Sequence, residues 1–95
     1  RFYEILSEAT GTMVGRLWLW LATELPEAYI YNIAVLPEHR RRGYATAALQ
    51  QAAELAKSAG CVRIGLNVFA PNVAAQRLYH KLGYEPVSHF MNRSL

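Results

Sequence analysis

The sequence has little cysteine and no long apolar run. Cys61 is its single cysteine, and no Cys or His pair stands at zinc-ligand spacing, so neither a disulfide framework nor a zinc site is expected. The longest apolar stretch, residues 14–22, contains Arg16 and is far shorter than the ~20 residues that span a bilayer. No signal-peptide pattern opens the chain. These absences predict a soluble protein of the reducing cytoplasm, with no membrane partner and no metal.

The charge is only mildly positive. Ten Lys and Arg against seven Asp and Glu give a net charge of +3, which is low for a protein that wraps duplex DNA and suits an anionic small molecule equally well. With 95 residues, 53% of them hydrophobic, the chain can bury one core. We therefore expect residues 1–95 to form a single domain.

Apolar segments divided by glycine and proline predict three strands in the first part of the chain. Residues 2–6 and 17–21 read as two strands joined by a glycine-containing turn. Residues 29–36 read as a third strand that is apolar on both faces, as a central strand would be, and Pro37 ends it.

Helical and strand patterns alternate after Pro37. Residues 44–59 lack Gly and Pro and are followed by Gly60, which predicts a helix. The helical stripe consists of Ala45, Ala48, Leu49, Ala52, Leu55 and Ala56. Apolar and polar residues alternate over residues 62–68, which predicts a strand that runs parallel to the third strand if the helix is a right-handed crossover.

A second helix is predicted between Asn72, as its N-cap, and Gly83, with Ala75, Leu78 and Leu82 as its buried stripe. Residues 84–91 read as a last strand. The order β-β-β-α-β-α-β predicts a mixed α/β fold, in which helices flank a sheet that is partly antiparallel and partly parallel.

Three consecutive arginines precede the first helix. Arg40, Arg41 and Arg42 crowd a helix N-terminus that already carries about half a positive charge, where an acidic residue would be more stabilising. A bound anion would relieve this crowding. Gly43 lets the backbone approach a ligand closely, so that free N–H groups of residues 41–45 can converge on phosphate oxygens.

A solvated basic turn is the simpler interpretation of such a run. The context favours a phosphate site instead, because the loop follows a predicted buried strand and opens a helix within a βαβ unit. The loop is neither a Walker loop nor a dinucleotide fingerprint, since the lysine of the first and the three-glycine spacing of the second are absent.

Two segments resemble motifs of the GNAT superfamily of N-acetyltransferases. Residues 40–45, Arg-Arg-Arg-Gly-Tyr-Ala, fit the acetyl-coenzyme A signature Arg/Gln-x-x-Gly-x-Gly/Ala, which follows a strand in that family. Residues 72–84 are similar to its second motif, Asn-x-x-Ala-x-x-Leu-Tyr-x-x-Leu-Gly-Phe/Tyr. The resemblance extends over residues 2–91 and implies that the first strand and two helices with which the family usually begins are missing from residues 1–95.

The resemblance implies a set of coenzyme-binding residues. The pyrophosphate of acetyl-coenzyme A would be held by the backbone of Arg41, Arg42, Gly43, Tyr44 and Ala45, with charge from Arg40 and Arg42. The pantetheine arm would pair with Ile33, Ala34 and Val35, and the Ile33 N–H would face the thioester carbonyl as an oxyanion donor. Asn72 would contact the coenzyme as well as cap its helix. Residues 33–35 are otherwise simply a buried strand.

Tyr79 is the catalytic residue that the resemblance implies. A phenol of pKa about 10 can protonate the departing thiolate, whereas an aromatic on a helix is otherwise a core residue. The general base stays open: Glu27 is the nearest carboxylate to the third strand but reads equally as a solvated charge, and a water relay is an alternative. His39, His80 and His89 read as surface or packing residues.

The sequence thus predicts an acetyl-coenzyme A-dependent N-acetyltransferase that transfers acetyl directly to a primary amine. Two alternatives remain open at this point: a coenzyme A-binding module without catalysis, and a nucleic-acid-binding domain that uses the three arginines. The amine acceptor is unidentified, and a homodimer stands as an alternative to a monomer.

Overall fold

The computed structural model describes residues 1–22, 26–68, 71–87 and 91–95. Its elements in chain order are β1 (Phe2–Leu6), β2 (Met13–Leu21), β3 (Glu27–Val35), a 3-10 turn (Pro37–His39), α1 (Tyr44–Ser58), β4 (Arg63–Leu66) and α2 (Val73–Lys81). The predicted order is confirmed as far as α2. The last predicted strand is wrong for residues 84–87 and 91, which carry no regular structure, and residues 88–90 lie outside the described chain.

The four strands form one mixed sheet in the order β1-β2-β3-β4. Strand β2 pairs antiparallel with both β1 and β3, whereas β3 and β4 are parallel and are connected by α1. The predicted βαβ unit is therefore present, and the mixed α/β fold class is confirmed.

The core lies between the sheet and α1. It consists of Leu17, Leu19, Ala28, Ile30, Leu49, Ala52 and Ala56, all less than 9% exposed. Small alanines on α1 let the helix approach the sheet closely, and each fully buried leucine stabilises the fold by about 1.5–3 kcal/mol. The predicted stripe is confirmed at Ala48, Leu49, Ala52 and Ala56, whereas Ala45 is half-buried and Leu55 is 43% exposed.

The other face of the sheet carries a row of aromatic rings. Phe2 stacks on Trp18 with centroids 4.8 Å apart, and Trp18 contacts Tyr31 at the same distance. Tyr31 is 52% exposed, so the prediction that the third strand is buried on both faces is wrong there. Helix α1 covers only the face of Leu17 and Leu19, and Tyr31 points away from it.

Candidate active site

Strand β3 parts from β4 halfway along its length. Residues 27–30 pair with residues 63–66, whereas residues 31–35 have no strand partner on that side within the described chain. We call residues 31–35 on that side the open edge of β3. An unpaired edge presents free N–H and C=O groups, which can pair with an extended ligand.

A β-bulge marks the point of parting. Across β2 and β3, Leu19 lies opposite Ile30 and Trp18 opposite Asn32, so Tyr31 is an extra residue without a partner on β2. A bulge bends the strand and increases its twist. The bend at Tyr31 explains why β3 leaves β4 immediately after Ile30.

The direction of the backbone groups on the open edge follows from one hydrogen bond. The Leu36 N–H donates to the Val14 carbonyl oxygen of β2 at 2.8 Å. Because successive N–H groups of a strand point to opposite sides, the N–H groups of Val35 and Ile33 point away from β2, toward the open edge. Ile33 itself is half-buried and packs against the core, which holds its backbone in place.

The side chain of Arg40 reaches back to the open edge. Its Nε donates to the Val35 carbonyl oxygen at 3.0 Å. This bond places the guanidinium at the carboxyl end of β3, with its two Nη groups exposed. Arg40 is therefore positioned beside the edge as well as in the loop.

The loop before α1 has an unusual backbone. Arg41 has φ 64° and Gly43 has φ 82°, both in the left-handed region. Arginine adopts this region rarely and at a cost, which is typical of a backbone held for binding. Alternation of handedness along a short segment turns successive N–H groups into one concavity, the arrangement known as an anion nest.

The N–H groups of this loop lack partners inside the protein. Those of residues 41–45 have no acceptor in the parts of the chain that the structure describes, and the first helical bond runs from the Ala47 N–H to the Gly43 carbonyl oxygen at 3.0 Å. The first turn of α1 carries no acidic residue. Free amides, the helix dipole and three arginines together favour an anion at this position.

His39 packs against Tyr44 at the start of α1. Its ring makes an edge contact with the Tyr44 ring at 6.3 Å, and its Nδ1 is buried without a hydrogen-bond partner in the described residues. His39 is therefore the packing residue that the sequence indicated. His80 is exposed, and His89 lies outside the described residues.

Helix α2 carries the predicted Asn72 and Tyr79. Asn72 accepts the Ala75 N–H through Oδ1 at 3.1 Å, so the predicted N-cap is confirmed. Tyr79 is half-buried and packs against the core beside Leu78 and Leu82. Burial raises the pKa of the Tyr79 phenol above its usual value of 10.0, so the hydroxyl is protonated at neutral pH, as an exposed phenol also is.

Neither a membrane helix nor a cluster of metal-ligating side chains is present in the described ranges. No helix there is long and apolar enough to cross a bilayer. No group of three or more His, Cys, Asp or Glu residues there has the arrangement of a metal site.

The open edge of β3 lies next to a loop with free amides, and comparison with known proteins identifies the family. Residues 2–84 match the model of the Acetyltransferase (GNAT) family. The chain belongs to this family.

Relatives within the GNAT family support the assignment along the whole chain. The chain is 35% identical over 85 residues to the uncharacterized N-acetyltransferase YycN of Bacillus subtilis, covering 87% of this chain and 54% of that protein. A crystal structure of YycN has a TM-score of 0.87 at 31% identity, covering 99% of this chain and 60% of that one. The chain is also 35% identical over 75 residues to the ribosomal protein bS18 alanine N-acetyltransferase of Escherichia coli, covering 77% of this chain and 51% of that protein. The chain thus spans about half the length of these curated relatives.

Two features of the GNAT site were missed by sequence reasoning. One is the bulge at Tyr31, for which a continuous apolar run gives no signal. The other is the contact between Tyr84 and Tyr79, because Tyr84 was included in the second motif without a role of its own. A glycine followed by an aromatic residue after a helix is the sequence signal that could have predicted this contact.

Glu27 is not placed to act as the general base at Ile33. It begins β3 and forms an ion pair with Arg63 at 3.4 Å. Six residues of extended strand separate Glu27 from Ile33, which is a distance of about 20 Å. The solvated-charge interpretation of Glu27 therefore fits the structure better.

Proposed function

We propose that this protein is an acetyl-coenzyme A-dependent N-acetyltransferase that moves acetyl directly to a primary amine. The observation that carries the proposal is the set of unpartnered N–H groups at residues 41–45, next to the open edge of β3, in a chain of the GNAT family. A solvated basic turn would need neither the left-handed Arg41 nor the open edge. The nucleic-acid alternative is not favoured, because the family match and the site geometry both point to acetyl transfer.

The residues present fit acetyl-coenzyme A. In our proposal the pyrophosphate lies on the N–H groups of residues 41–45, where charge-assisted hydrogen bonds to an anion are about twice as strong as neutral ones. Arg42 and the free Nη groups of Arg40 add charge. The pantetheine arm pairs with residues 33–35, whose outward N–H groups are those of Ile33 and Val35. We assign Asn72 to the coenzyme as a further contact.

The chemistry of the proposal needs two groups from the protein. Acetyl-coenzyme A supplies the acetyl group as a thioester. The Ile33 N–H donates to the thioester carbonyl oxygen, on which negative charge develops as the amine nitrogen attacks the carbonyl carbon. The new C–N bond forms while the C–S bond breaks, and the Tyr79 hydroxyl gives its proton to the leaving sulfur. The amine nitrogen releases its own proton to water, and water returns a proton to the Tyr79 phenolate.

The acceptor must present a neutral amine. An α-amino group, with a pKa near 8, is partly neutral at pH 7, whereas a lysine amine near 10.4 is almost wholly protonated. No carboxylate lies near Ile33 on β3 to assist, since Glu27 is paired at the far end. We therefore propose an α-amino group as the first acceptor class to test. The name of the Escherichia coli relative, an alanine N-acetyltransferase of a ribosomal protein, agrees with that order.

We further propose that residues 1–95 form the coenzyme-binding part of a single cytoplasmic domain. The single cysteine, Cys61, is half-buried and free, which suits a reducing compartment.

An acceptor screen tests the function directly. The native protein is mixed with acetyl-coenzyme A and with peptides whose α-amino group, or whose single lysine amine, is free, and thiol release is followed with a chromogenic reagent. We expect amine-dependent release, with acetyl found on the amine by mass spectrometry. Tight coenzyme binding without release from any amine would instead indicate the non-catalytic module.

A further inference from the structure

The end of α2 folds back on itself in a Schellman turn. Gly83 has φ 95°, its N–H donates to the His80 carbonyl oxygen at 3.0 Å, and the Tyr84 N–H donates to the Tyr79 carbonyl oxygen at 2.9 Å. These two bonds define the motif. They bring the residue after the glycine over the residue five positions before it, which here places Tyr84 over Tyr79.

The two rings meet where the turn brings them together. The ring centroids of Tyr79 and Tyr84 are 5.9 Å apart, with the planes at 64°, which is an edge-to-face contact. Both side chains are half-buried, and burial raises the pKa of each phenol. The charge of an ionised Tyr79 raises the pKa of Tyr84 further.

We propose that Tyr84 is a positioning residue for Tyr79: its ring, held by the Schellman turn, fixes the orientation of the Tyr79 phenol toward the sulfur of the thioester. The proposal rests on the catalytic role of Tyr79 given above. A hydrophobic contact commonly accompanies this turn for stability alone. In this protein the contact is made to Tyr79, whose hydroxyl must point toward the leaving sulfur in the proposed reaction.

The packing of α2 explains why Tyr79 needs a positioning residue. None of the residues of α2 is fully buried, so the sheet packing holds this helix less firmly than α1. A phenol on such a helix needs a second contact to stay in one rotamer. A misplacement of about 1 Å in a catalytic group can lower the rate by about a hundredfold.

The contact uses the Tyr84 ring and does not use its hydroxyl. The Tyr84 hydroxyl oxygen is buried and has no hydrogen-bond partner among the described residues. Tyr84→Phe therefore keeps the contact, whereas Tyr84→Leu removes the ring. Tyr3→Leu is a matched control, because Tyr3 is another half-buried tyrosine that packs against the same core, on strand β1 and without a ring contact to Tyr79.

Kinetics on the native protein provide the first test. We expect Tyr84→Leu to lower kcat by up to about a hundredfold while KM for acetyl-coenzyme A changes little, and Tyr84→Phe to restore most of kcat. In a Tyr79→Phe background, Tyr84→Leu should change kcat by less than about twofold, because its effect passes through Tyr79. An equal loss of kcat in both backgrounds would overturn the proposal, as would wild-type kcat in Tyr84→Leu.

A second readout does not depend on turnover. The pKa of the Tyr79 phenol, followed by NMR of ring-labelled tyrosine, should fall toward 10.0 in Tyr84→Leu and stay raised in Tyr84→Phe, because leucine covers less of the phenol than an aromatic ring does. An unchanged Tyr79 pKa in Tyr84→Leu would contradict the contact. Tyr3→Leu should leave both kcat and this pKa unchanged.

Gly83 offers a variant for the case that Tyr84→Leu does not fold. A Cβ on Gly83 meets no described atom within 4 Å, so Gly83→Ala acts only through its left-handed φ, and Gly83→Asn tolerates that φ better. We expect Gly83→Ala to lower kcat more than Gly83→Asn; the reverse order would overturn the role of the turn. Wild-type kcat in Tyr79→Phe would sink the catalytic role itself, whereas a slow Tyr79→Phe beside a wild-type Tyr84→Leu would remove only the positioning role.

Discussion

The Asn72 Oδ1 accepts the N–H of Ala75 at 3.1 Å, and this bond caps the helix that carries Tyr79. One lone pair of the Asn72 oxygen is therefore engaged within the helix itself. The proposed contact between Asn72 and the coenzyme can therefore use the Nδ2 donors of the side chain or the second lone pair of Oδ1.

The two roles of Asn72 separate in a pair of variants. Asn72→Ala should lower the free energy of unfolding by about 1 kcal/mol, because the Ala75 N–H loses its acceptor. Asn72→Asp keeps an acceptor and should keep that stability, but its charge would repel a coenzyme phosphate and weaken binding. Urea unfolding measures the first effect and calorimetry the second. Unchanged coenzyme affinity in Asn72→Asp would leave Asn72 as a cap alone.

Tyr79→Phe should slow catalysis without weakening coenzyme binding. The substitution removes the hydroxyl and retains the packing against Leu78 and Leu82. We expect kcat to fall by about 10²- to 10⁴-fold with little change in the dissociation constant for acetyl-coenzyme A. Steady-state kinetics with an identified acceptor, together with separate binding measurements, give both quantities. A purely structural tyrosine predicts the opposite pattern, namely normal turnover or lost stability.

The raised phenol pKa values predict a defined response to alkaline pH. Both Tyr79 and Tyr84 have a higher pKa in the folded protein than the 10.0 of an exposed tyrosine, because burial disfavours the anion. Their contribution to stability is complete below pH 10.0 and is lost as pH rises through the folded pKa values. The double variant with phenylalanine at both positions should lose less stability above that pH. A Tyr79 phenol that titrates below 10.0 would contradict this account.

Gly43 distinguishes backbone binding from charge. Its φ of 82° would strain any β-branched residue. A variant such as Gly43→Val would therefore combine backbone strain with obstruction of the ligand. Gly43→Asn is the better variant, because asparagine tolerates this φ yet adds a side chain. We expect Gly43→Asn to weaken acetyl-coenzyme A binding by about tenfold or more, equivalent to one charge-assisted hydrogen bond.

Arg41→Gly is the matched charge variant. It removes one cation at a φ of 64° that glycine adopts freely, so no strain is introduced. An exposed charge at a helix terminus contributes about 0.3–1 kcal/mol, so we expect only a severalfold loss of affinity. Calorimetry measures the affinity of both variants for acetyl-coenzyme A. If Gly43→Asn binds as well as the wild type and Arg41→Gly does not, the phosphates are bound mainly by side-chain charge and the backbone account is wrong.

Local sequence signals predicted the elements that depend on neighbours in the chain. Helix α1 was predicted to within one residue, because residues 44–59 lack Gly and Pro and keep a helical period. The cap at Asn72 is equally local. Strand β4 is shorter than predicted, Arg63–Leu66 instead of residues 62–68, because β3 turns away after Ile30 and leaves nothing for later residues to pair with.

The site depends on relationships that no local pattern encodes. The bulge at Tyr31 arises from how β2 and β3 align, and the bond from Arg40 to the Val35 carbonyl oxygen arises from how the loop turns. The motif at residues 40–45 predicted which amides are free, since a helix N-terminus always leaves some unpaired. It could not predict the left-handed Arg41.

The most direct measurement is thermal unfolding of the native protein with increasing acetyl-coenzyme A. The ligand should stabilise the folded state by about 2.7 kcal/mol at a hundredfold excess over its dissociation constant. Dephospho-coenzyme A should do less, and acetyl-pantetheine, which lacks the pyrophosphate, should do least, because the amides of residues 41–45 then have no anion to bind. An unchanged melting temperature over a wide range of acetyl-coenzyme A, with the protein folded, would contradict the account.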